Sequence, residues 1–439
     1  MRSRTKFTRY FPLIALMLIL GAPGPQTGGW GFGGNPRSNT GAIYAQFELA
    51  PADGAGGFTQ ACLCPTSVRD SRGSVTVQVS RTSSAICTRG STNTGVANGD
   101  LVTCTSNQVR VMPGFDGTGG NGILIEEART NSILRAHEIN NASFSNTAVG
   151  AAAPTLNGAD ATTAPDNSVT AESYTFPATA AAQVSGRSQV VAAFNGVASV
   201  FSFYVKGVST SGTMDVCAVG TASSCSPCAY VSGSWSRCYH AASHANQGIL
   251  IGNNTRDNGG TVRAANTVYI WGAMGEVGVG LTSFIDTTSA AVTRAAEVTN
   301  ITVPSMTMSS AAFTIVTPSA YSTATPVPLT WRIDGSNIMD GWINGTFNYQ
   351  GRFMVAAVPK PVTTAATFTT NTQHRVSFNG DGTTVQGCID AACSSATPGA
   401  WTRPSGITSL YVGTFTSGTF ALNGVVKKIC LDSAYLRCL

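Results

Sequence analysis

Ala198-Ser-Val-Phe-Ser-Phe-Tyr-Val-Lys206 and Thr267-Val-Tyr-Ile-Trp271 decide the fold class of this chain. Both are short runs rich in β-branched and aromatic residues, the composition of strands. Met214-Asp-Val-Cys-Ala-Val219 and Gly248-Ile-Leu-Ile-Gly252 lie between them, and Gly, Asn and Ser punctuate the whole stretch. Such spacing predicts an antiparallel sandwich or jelly roll. Upstream, Ser74-Val-Thr-Val-Gln-Val-Ser80 alternates apolar and polar residues, the period of a half-buried strand, and Gln108–Met112 is a second strand candidate. Downstream, Ala311–Thr317, Thr330–Ile333, Arg352–Ala356, His374–Phe378, Thr384–Cys388 and Ser409–Gly413 read as strands, with Gly380-Asp-Gly382 as a hairpin turn. Gly150–Thr163 is expected to be a loop or an edge. No long amphipathic helix is visible, Ile133–Ile139 offers at most one turn, and no fixed-period repeat suggests a solenoid or propeller.

Composition agrees. Charged residues make up 11% of the 439-residue chain, against an ordinary value of about 25%. Gly, Ser, Thr, Ala and Asn replace them, which disfavours surface helices. The net charge of +5 resides in Arg2, Arg4, Lys6, Arg9 and Arg37, so residues 46–439 are neutral overall. No basic field remains for nucleic acid, whose binding rests on neutralising phosphates.

The basic residues precede Phe11–Ala22, an apolar run of signal-peptide length and short for a membrane span. Residues 1–22 therefore read as a signal-like leader and 23–45 as a flexible linker. Leu20 makes a poor site for cleavage after Ala22, and cleavage after Ala45 is an alternative. An uncleaved anchor or an over-long start stay open too. Twelve cysteines fall in three groups of four: Cys62, Cys64, Cys87 and Cys104; Cys217, Cys225, Cys228 and Cys238; Cys388, Cys393, Cys430 and Cys438. With a leader, even groups favour disulfides, and Cys388/Cys393 and Cys430/Cys438 are close enough to staple hairpins. Zinc at Cys225-Ser-Pro-Cys228 with Cys217, Cys238 and His240, or free buried thiols, are the alternatives.

Two phrases carry a resemblance. Gly122-Ile-Leu-Ile-Glu-Glu-Ala-Arg-Thr-Asn131 is one. Val268-Tyr-Ile-Trp-Gly-Ala-Met-Gly-Glu-Val-Gly278, followed by Ser283-Phe-Ile-Asp-Thr-Thr and Val292-Thr-Arg-Ala-Ala-Glu-Val298, is the other. With Val79–Ala85 they resemble the bounds of a carbohydrate-binding-like jelly roll in bacteriophage tail and virion proteins. Met274, Gly275 and Asp286 stand where that pattern has Gln, Leu and Pro. His374-Arg-Val-Ser-Phe-Asn-Gly-Asp-Gly-Thr-Thr-Val385 and Phe420–Cys430 resemble a laminin-G or concanavalin-like sandwich. The resemblance implies an all-β chain of tandem antiparallel β-sandwiches. A small β-rich N-terminal module at 46–125 would precede a jelly roll at 126–298 and the laminin-G-like domain at 299–439. It implies a non-enzymatic virion adhesin that binds cell-surface glycans, assembles with other tail proteins as a homo-oligomer, and resides in the virion or outside the cell. A secreted or surface-attached bacterial lectin-like protein is the alternative, and a glycan-degrading enzyme a third.

The residues add candidates. Exposed aromatics beside Asn and Asp suit sugar binding. Trp331, Asp340, Trp342, Asn344, Phe347, Tyr349 and Trp401 are the glycan-binding set, with Asp340–Tyr349 expected as a loop. Calcium, implied by the laminin-G resemblance, would fall to Asp334, Asp340 or Asp381. A glycosidase needs paired carboxylates, and Asp334, Asp340, Asp381, Asp390 and Asp432 are the ones available, with Asp381 better explained by its turn. Glu126, Glu127 and Arg129 have the residue types of a catalytic cluster. They are expected instead, with Asn131 and Arg294, to fix the joint between domains. His137, His240, His244 and His374 are expected at ordinary surface or core positions.

Overall fold

A computed structural model describes residues 42–46, 67–69, 76–88, 100–107, 110–113, 121–220, 223–243, 248–278, 280–306, 310–316, 327–332, 338–343, 348–355, 358–369, 372–403, 405, 407–412, 422 and 424–432. The described chain is essentially all-β, built of antiparallel sheets that fit a sandwich architecture.

The central module has ten main strands: β1 (Ser145–Val149), β2 (Thr155–Thr162), β3 (Ala171–Phe176), β4 (Val184–Val190), β5 (Ser199–Gly207), β6 (Gly212–Val219), β7 (Ser224–Tyr230), β8 (Ser236–Ala242), β9 (Gly248–Asn254) and β10 (Asn266–Val277). One sheet runs β2-β3-β10-β5-β8 and the other β7-β6-β9-β4-β1. Successive strands cross between sheets, so that β3, β10, β5 and β8 belong to one layer and β4, β9, β6 and β7 to the other. That order is a jelly roll.

Alternation explains the layers. Phe201, Phe203 and Val205 of β5, with Val268 and Ile270 of β10, pack against Met214, Val216 and Ala218 of β6 and Ile249 and Ile251 of β9. Each large apolar side chain buried this way contributes roughly 1.5–3 kcal/mol. β10 extends beyond the predicted Thr267–Trp271 because Gly272, at φ +66°, forms a bulge opposite Ser202–Tyr204. A Cβ there would meet Tyr204 at 3.0 Å and Phe284 at 3.2 Å. β4 (Val-Ser-Gly-Arg-Ser-Gln-Val) was not foreseen, since its polar pattern hides a strand buried almost throughout. Gly150–Thr163 contains the edge strand β2, and Ile133–Ile139 forms bends with both isoleucines buried.

A second apolar cluster lies on the outer side of the β5/β10 sheet. Tyr204, Trp235, Trp271 and Met274 pack beneath Phe284 and Ile285 of the outgoing chain and beneath Leu101. Leu101 belongs to the hairpin Ala85–Thr88/Leu101–Cys104.

The remaining strands form further sheets. Ala392–Ala396, Val385–Ile389, Gln373–Gly380, Ser310–Val316, Gly424–Asp432, Asn121–Ile125 and Val111–Pro113 follow one another in an eight-stranded sheet, in which Ala42–Gln46 also pairs with Gly424–Asp432. The four-stranded sheet Val327–Arg332, Ile338–Ile343, Asn348–Val355, Val358–Thr367 packs on it, with Phe353 stacked on Phe378 at 4.8 Å. Thr76–Ser80 pairs with Val298–Met306, which pairs with Ile407–Val412. Strands of the stretch 46–125 thus share two sheets with strands of 299–439, where the sequence suggested a separate N-terminal module. Strand pairing joins the two stretches around the inserted jelly roll, which leaves and returns through a neck. In that neck Arg129–Asn131 runs antiparallel to Val292–Arg294.

Candidate functional site

The neck holds the densest polar arrangement. Glu126 and Glu297 cross-link the two chains of the neck: the Glu297 N–H donates to the Glu126 backbone carbonyl at 2.9 Å, and the Glu126 N–H to the Glu297 side-chain carboxylate at 2.8 Å. Three buried guanidiniums share these two carboxylates. Arg81 pairs with Glu297 at 2.8 Å, Arg110 with Glu297 at 2.5 Å and Glu126 at 2.6 Å, and Arg294 with Glu126 at 2.7 Å. Ser283 completes the knot. Its N–H and hydroxyl donate to Glu126, each at 2.7 Å, and its oxygen accepts from Arg110 and Arg294, also at 2.7 Å.

Burial alone would raise the Glu126 carboxyl, but the Arg294 and Arg110 charges and the Ser283 hydrogen bond hold it at about 2. The same carboxylates push the Arg110 guanidinium up against its own burial, whereas burial pulls Arg81 down. Buried pairs of this kind are strongly destabilising to break, at ~3–5 kcal/mol, because the remaining charge is stranded.

Of the expected joint residues, Glu126 and Arg294 meet directly. Glu127 and Arg129 form a separate pair, and Arg129 also donates to the Val277 carbonyl. Asn131 is fully buried and fully used: its amide donates to the Ile285 carbonyl at 2.8 Å, and its oxygen accepts from Ile133 and Gly275. Arg81, Arg110, Ser283 and Glu297 were not singled out by the sequence reading. Arg81, Ser283 and Glu297 stood inside the quoted phrases, so an acidic or basic residue recurring in each phrase was the available signal. Both carboxylates of the cluster are engaged by guanidiniums, while the buried Nε atoms of Arg110 and Arg294 have no hydrogen-bond partner among the described residues.

The aromatic candidates separate by register. The expected loop Asp340–Tyr349 includes parts of two paired strands, Ile338–Ile343 and Asn348–Val355, so that expectation is corrected to a hairpin. Trp331 stands opposite Met339, which stands opposite Phe353, and Phe353 is buried against Phe378. Tyr349 stands opposite Ile343 in the same pair of strands. Asp340 and Trp342 stand opposite Arg352 and Gln350. Trp401 is half-buried, its ring 4.8 Å from Phe353, and it is a packing residue. A Cβ at Gly380 would lie 2.5 Å from Phe353 and 2.8 Å from Trp401, so this close approach requires glycine. Asn344, Phe347, Asp334 and His244 lie outside the described residues.

Four disulfides occur among the described residues. Cys217–Cys225 and Cys388–Cys393 join directly opposed positions of neighbouring strands, as the spacing of the second pair suggested. Cys228–Cys238 ties β7 to β8 across the two sheets, and Cys87–Cys104 closes a hairpin. These bonds use the four cysteines of the zinc alternative, which is thereby overturned. His240 instead bonds the Ser224 and Ser226 hydroxyls at 2.8 and 2.9 Å. Cys62, Cys64 and Cys438 lie outside the described residues, as does the side chain of Cys430.

Of the acidic candidates, Asp381 and Asp390 are occupied by their turns. Asp381 accepts from the Thr383 and Thr384 N–H groups and from the Thr383 hydroxyl at 2.6–2.8 Å, and the Thr384 bond leads in holding its carboxyl low. An oxygen so committed does not fit a calcium ligand, and no cluster of three acidic, His or Cys side chains suited to a metal occurs among the described residues. Asp390 sits at φ +52° and accepts from the Arg375 N–H, with His374 2.8 Å away. The other His374 nitrogen meets Thr369 through hydroxyl, N–H and carbonyl at 2.7–3.1 Å. The imidazole thus clamps two loops. His137 bonds Asp286 at 2.9 Å, and that bond raises the imidazole pKa. No helix among the described residues is long and apolar enough to cross a membrane. No protein-family model matches this chain, and no curated protein matches it.

Proposed function

We propose that the chain is a non-enzymatic phage tail or virion adhesion protein that binds cell-surface glycans. The observation that carries this reading is the buried Arg81–Arg110–Arg294/Glu126–Glu297 knot, built from the phrases that resemble the tail-protein joint. It mounts a jelly roll firmly on a second set of sheets, an arrangement suited to presenting a preformed surface. Several copies on one particle would convert weak sites into avid attachment. Other tail proteins are the expected assembly partners. Asp340 and Trp342, neighbours on the strand Ile338–Ile343, are the candidates retained for the second sandwich. The disulfides favour an oxidising place and support a second reading, a secreted or surface-attached bacterial lectin-like protein.

Glycan-array binding by residues 41–439 tests the proposal. Starting at 41 keeps strand Ala42–Gln46 on its partner Gly424–Asp432, which a start at 46 would remove. Selective binding that drops in Trp342→Ala is expected. A blank array across bacterial surface glycans would overturn glycan recognition. The N-terminal residue of the native protein, read by mass spectrometry from virions and from culture medium, separates the two readings.

A further inference from the structure

We propose that the outer face of the β2-β3-β10-β5-β8 sheet binds a uronate-bearing glycan, with the Lys206 ammonium taking the sugar carboxylate and Tyr269 packing on the ring. This rests on the glycan-binding reading above and names the ligand class and the place.

Lys206 lies on β5 and is 9% exposed. Its Nζ sits 4.7 Å from the Trp235 ring centre and 5.4 Å from that of Tyr269. Among the described residues it has no hydrogen bond or ion pair. The other buried cations of this module are supplied with oxygens: Arg187 donates to the Ile139 carbonyl and Asn146, and Arg263 grips Asp215. Ring faces stabilise a cation by ~0.5–2 kcal/mol without neutralising it. Burial pulls the Lys206 pKa down, and no carboxylate offsets that shift.

The groups beside it are those that recognise sugars. Tyr269 is directly opposite Lys206 on one side and Ser173 on the other. On the next rung, Thr267 and Thr175 share a hydrogen bond at 2.9 Å, and the Asn157 amide donates to Thr175 at 3.0 Å. Tyr269, Thr267 and Thr175 are half-exposed and Asn157 is exposed. From β5 to β2 the face therefore offers an ammonium, a phenol ring, hydroxyls and an amide, across about 14 Å at the usual strand spacing. That span suits a short oligosaccharide. The apolar cluster under Phe284 and Ile285 covers Tyr204 and Trp271 and ends at Tyr269, which packs at its margin. A carboxylate supplies what Lys206 lacks, and a charge-assisted hydrogen bond there would decide for acidic over neutral sugars.

Calorimetric titration of residues 41–439 with oligogalacturonate, oligoguluronate and oligoglucuronate, each beside its methyl ester, tests the site. At least one acid form should bind, its ester at least about tenfold more weakly, and salt should weaken the acid form alone. Lys206→Met should remove the preference for acid with the near-ultraviolet circular dichroism unchanged, and Lys206→Arg should retain it. The acid–ester comparison on the native protein needs no variant. Equal binding of acid and ester, a preference untouched by Lys206→Met, or no binding of all three acids overturns the site. Neutral-glycan binding that survives Lys206→Met would leave the general glycan reading standing while this inference fails. A blank array would end both.

Discussion

Glu126→Gln removes the negative charge that Arg110 and Arg294 share while preserving the shape of the side chain. The size of the loss follows from two independent arguments. A carboxyl held at about 2 rather than its ordinary 4.5 favours the ionised folded state by ~3 kcal/mol. Stranding a buried cation after loss of its partner costs ~3–5 kcal/mol. The expected penalty at pH 7 is therefore ~3 kcal/mol. The sign with pH is set by the depressed folded value: the Glu126 contribution is complete above about pH 4.5 and is lost as pH falls toward 2. The gap between native protein and variant should then close on acidification. Urea unfolding followed by tryptophan fluorescence, which reports Trp235 and Trp271 beside the neck, measures it at pH 7, 5 and 3. A loss below ~1 kcal/mol at pH 7, or a gap that stays constant down to pH 3, would refute the view that the charge network locks the neck. Glu127→Gln is the comparison: Arg129 is buried but Glu127 is 29% exposed and pairs with that guanidinium, so its loss should be smaller than that of Glu126.

Glu172 should respond in the opposite direction. It accepts the Asn140 N–H, but burial raises its carboxyl to about 7, so ionisation is costly and the cost grows as pH rises from 4.5 to 7. Glu172→Gln should stabilise by ~3 kcal/mol at pH 8 and change little at pH 4; thermal melts giving equal shifts at both pH values would contradict this. Replacing Cys228 and Cys238 together by Ala opens the bridge between the two sheets of the jelly roll. A loss of ~2–4 kcal/mol is expected, and an unchanged urea midpoint with the pair absent would show that the packed core alone holds β7.

Period and composition were enough for the strand content. Thr76–Ser80, Met214–Val219 and His374–Phe378 are strands as read, because alternating or continuous β-branched and aromatic residues have one good way to bury their apolar side. Cys388/Cys393 was legible as a candidate staple because the two stand only five positions apart. β4 was not legible, because Arg187, Ser188 and Gln189 are buried by partners supplied from elsewhere: Ile139 and Asn146, Thr147, and Leu134. The aromatic set was readable as a composition and not as a surface. Strand pairing gives their backbone register alone: Trp331 lies opposite Met339, and Asp340 and Trp342 opposite Arg352 and Gln350.

By itself the sequence determined an all-β chain of antiparallel sandwiches, since strand content depends on local period and turn chemistry. Only the tertiary structure decided that strands on both sides of the insertion share sheets, and that Arg81 and Arg110 reach Glu297 and Glu126. It also decided that Lys206 faces two rings with no acid beside it among the described residues. Charge pairing depends on distance in space, and Arg81 and Glu297 are 216 residues apart in sequence yet 2.8 Å apart in the fold.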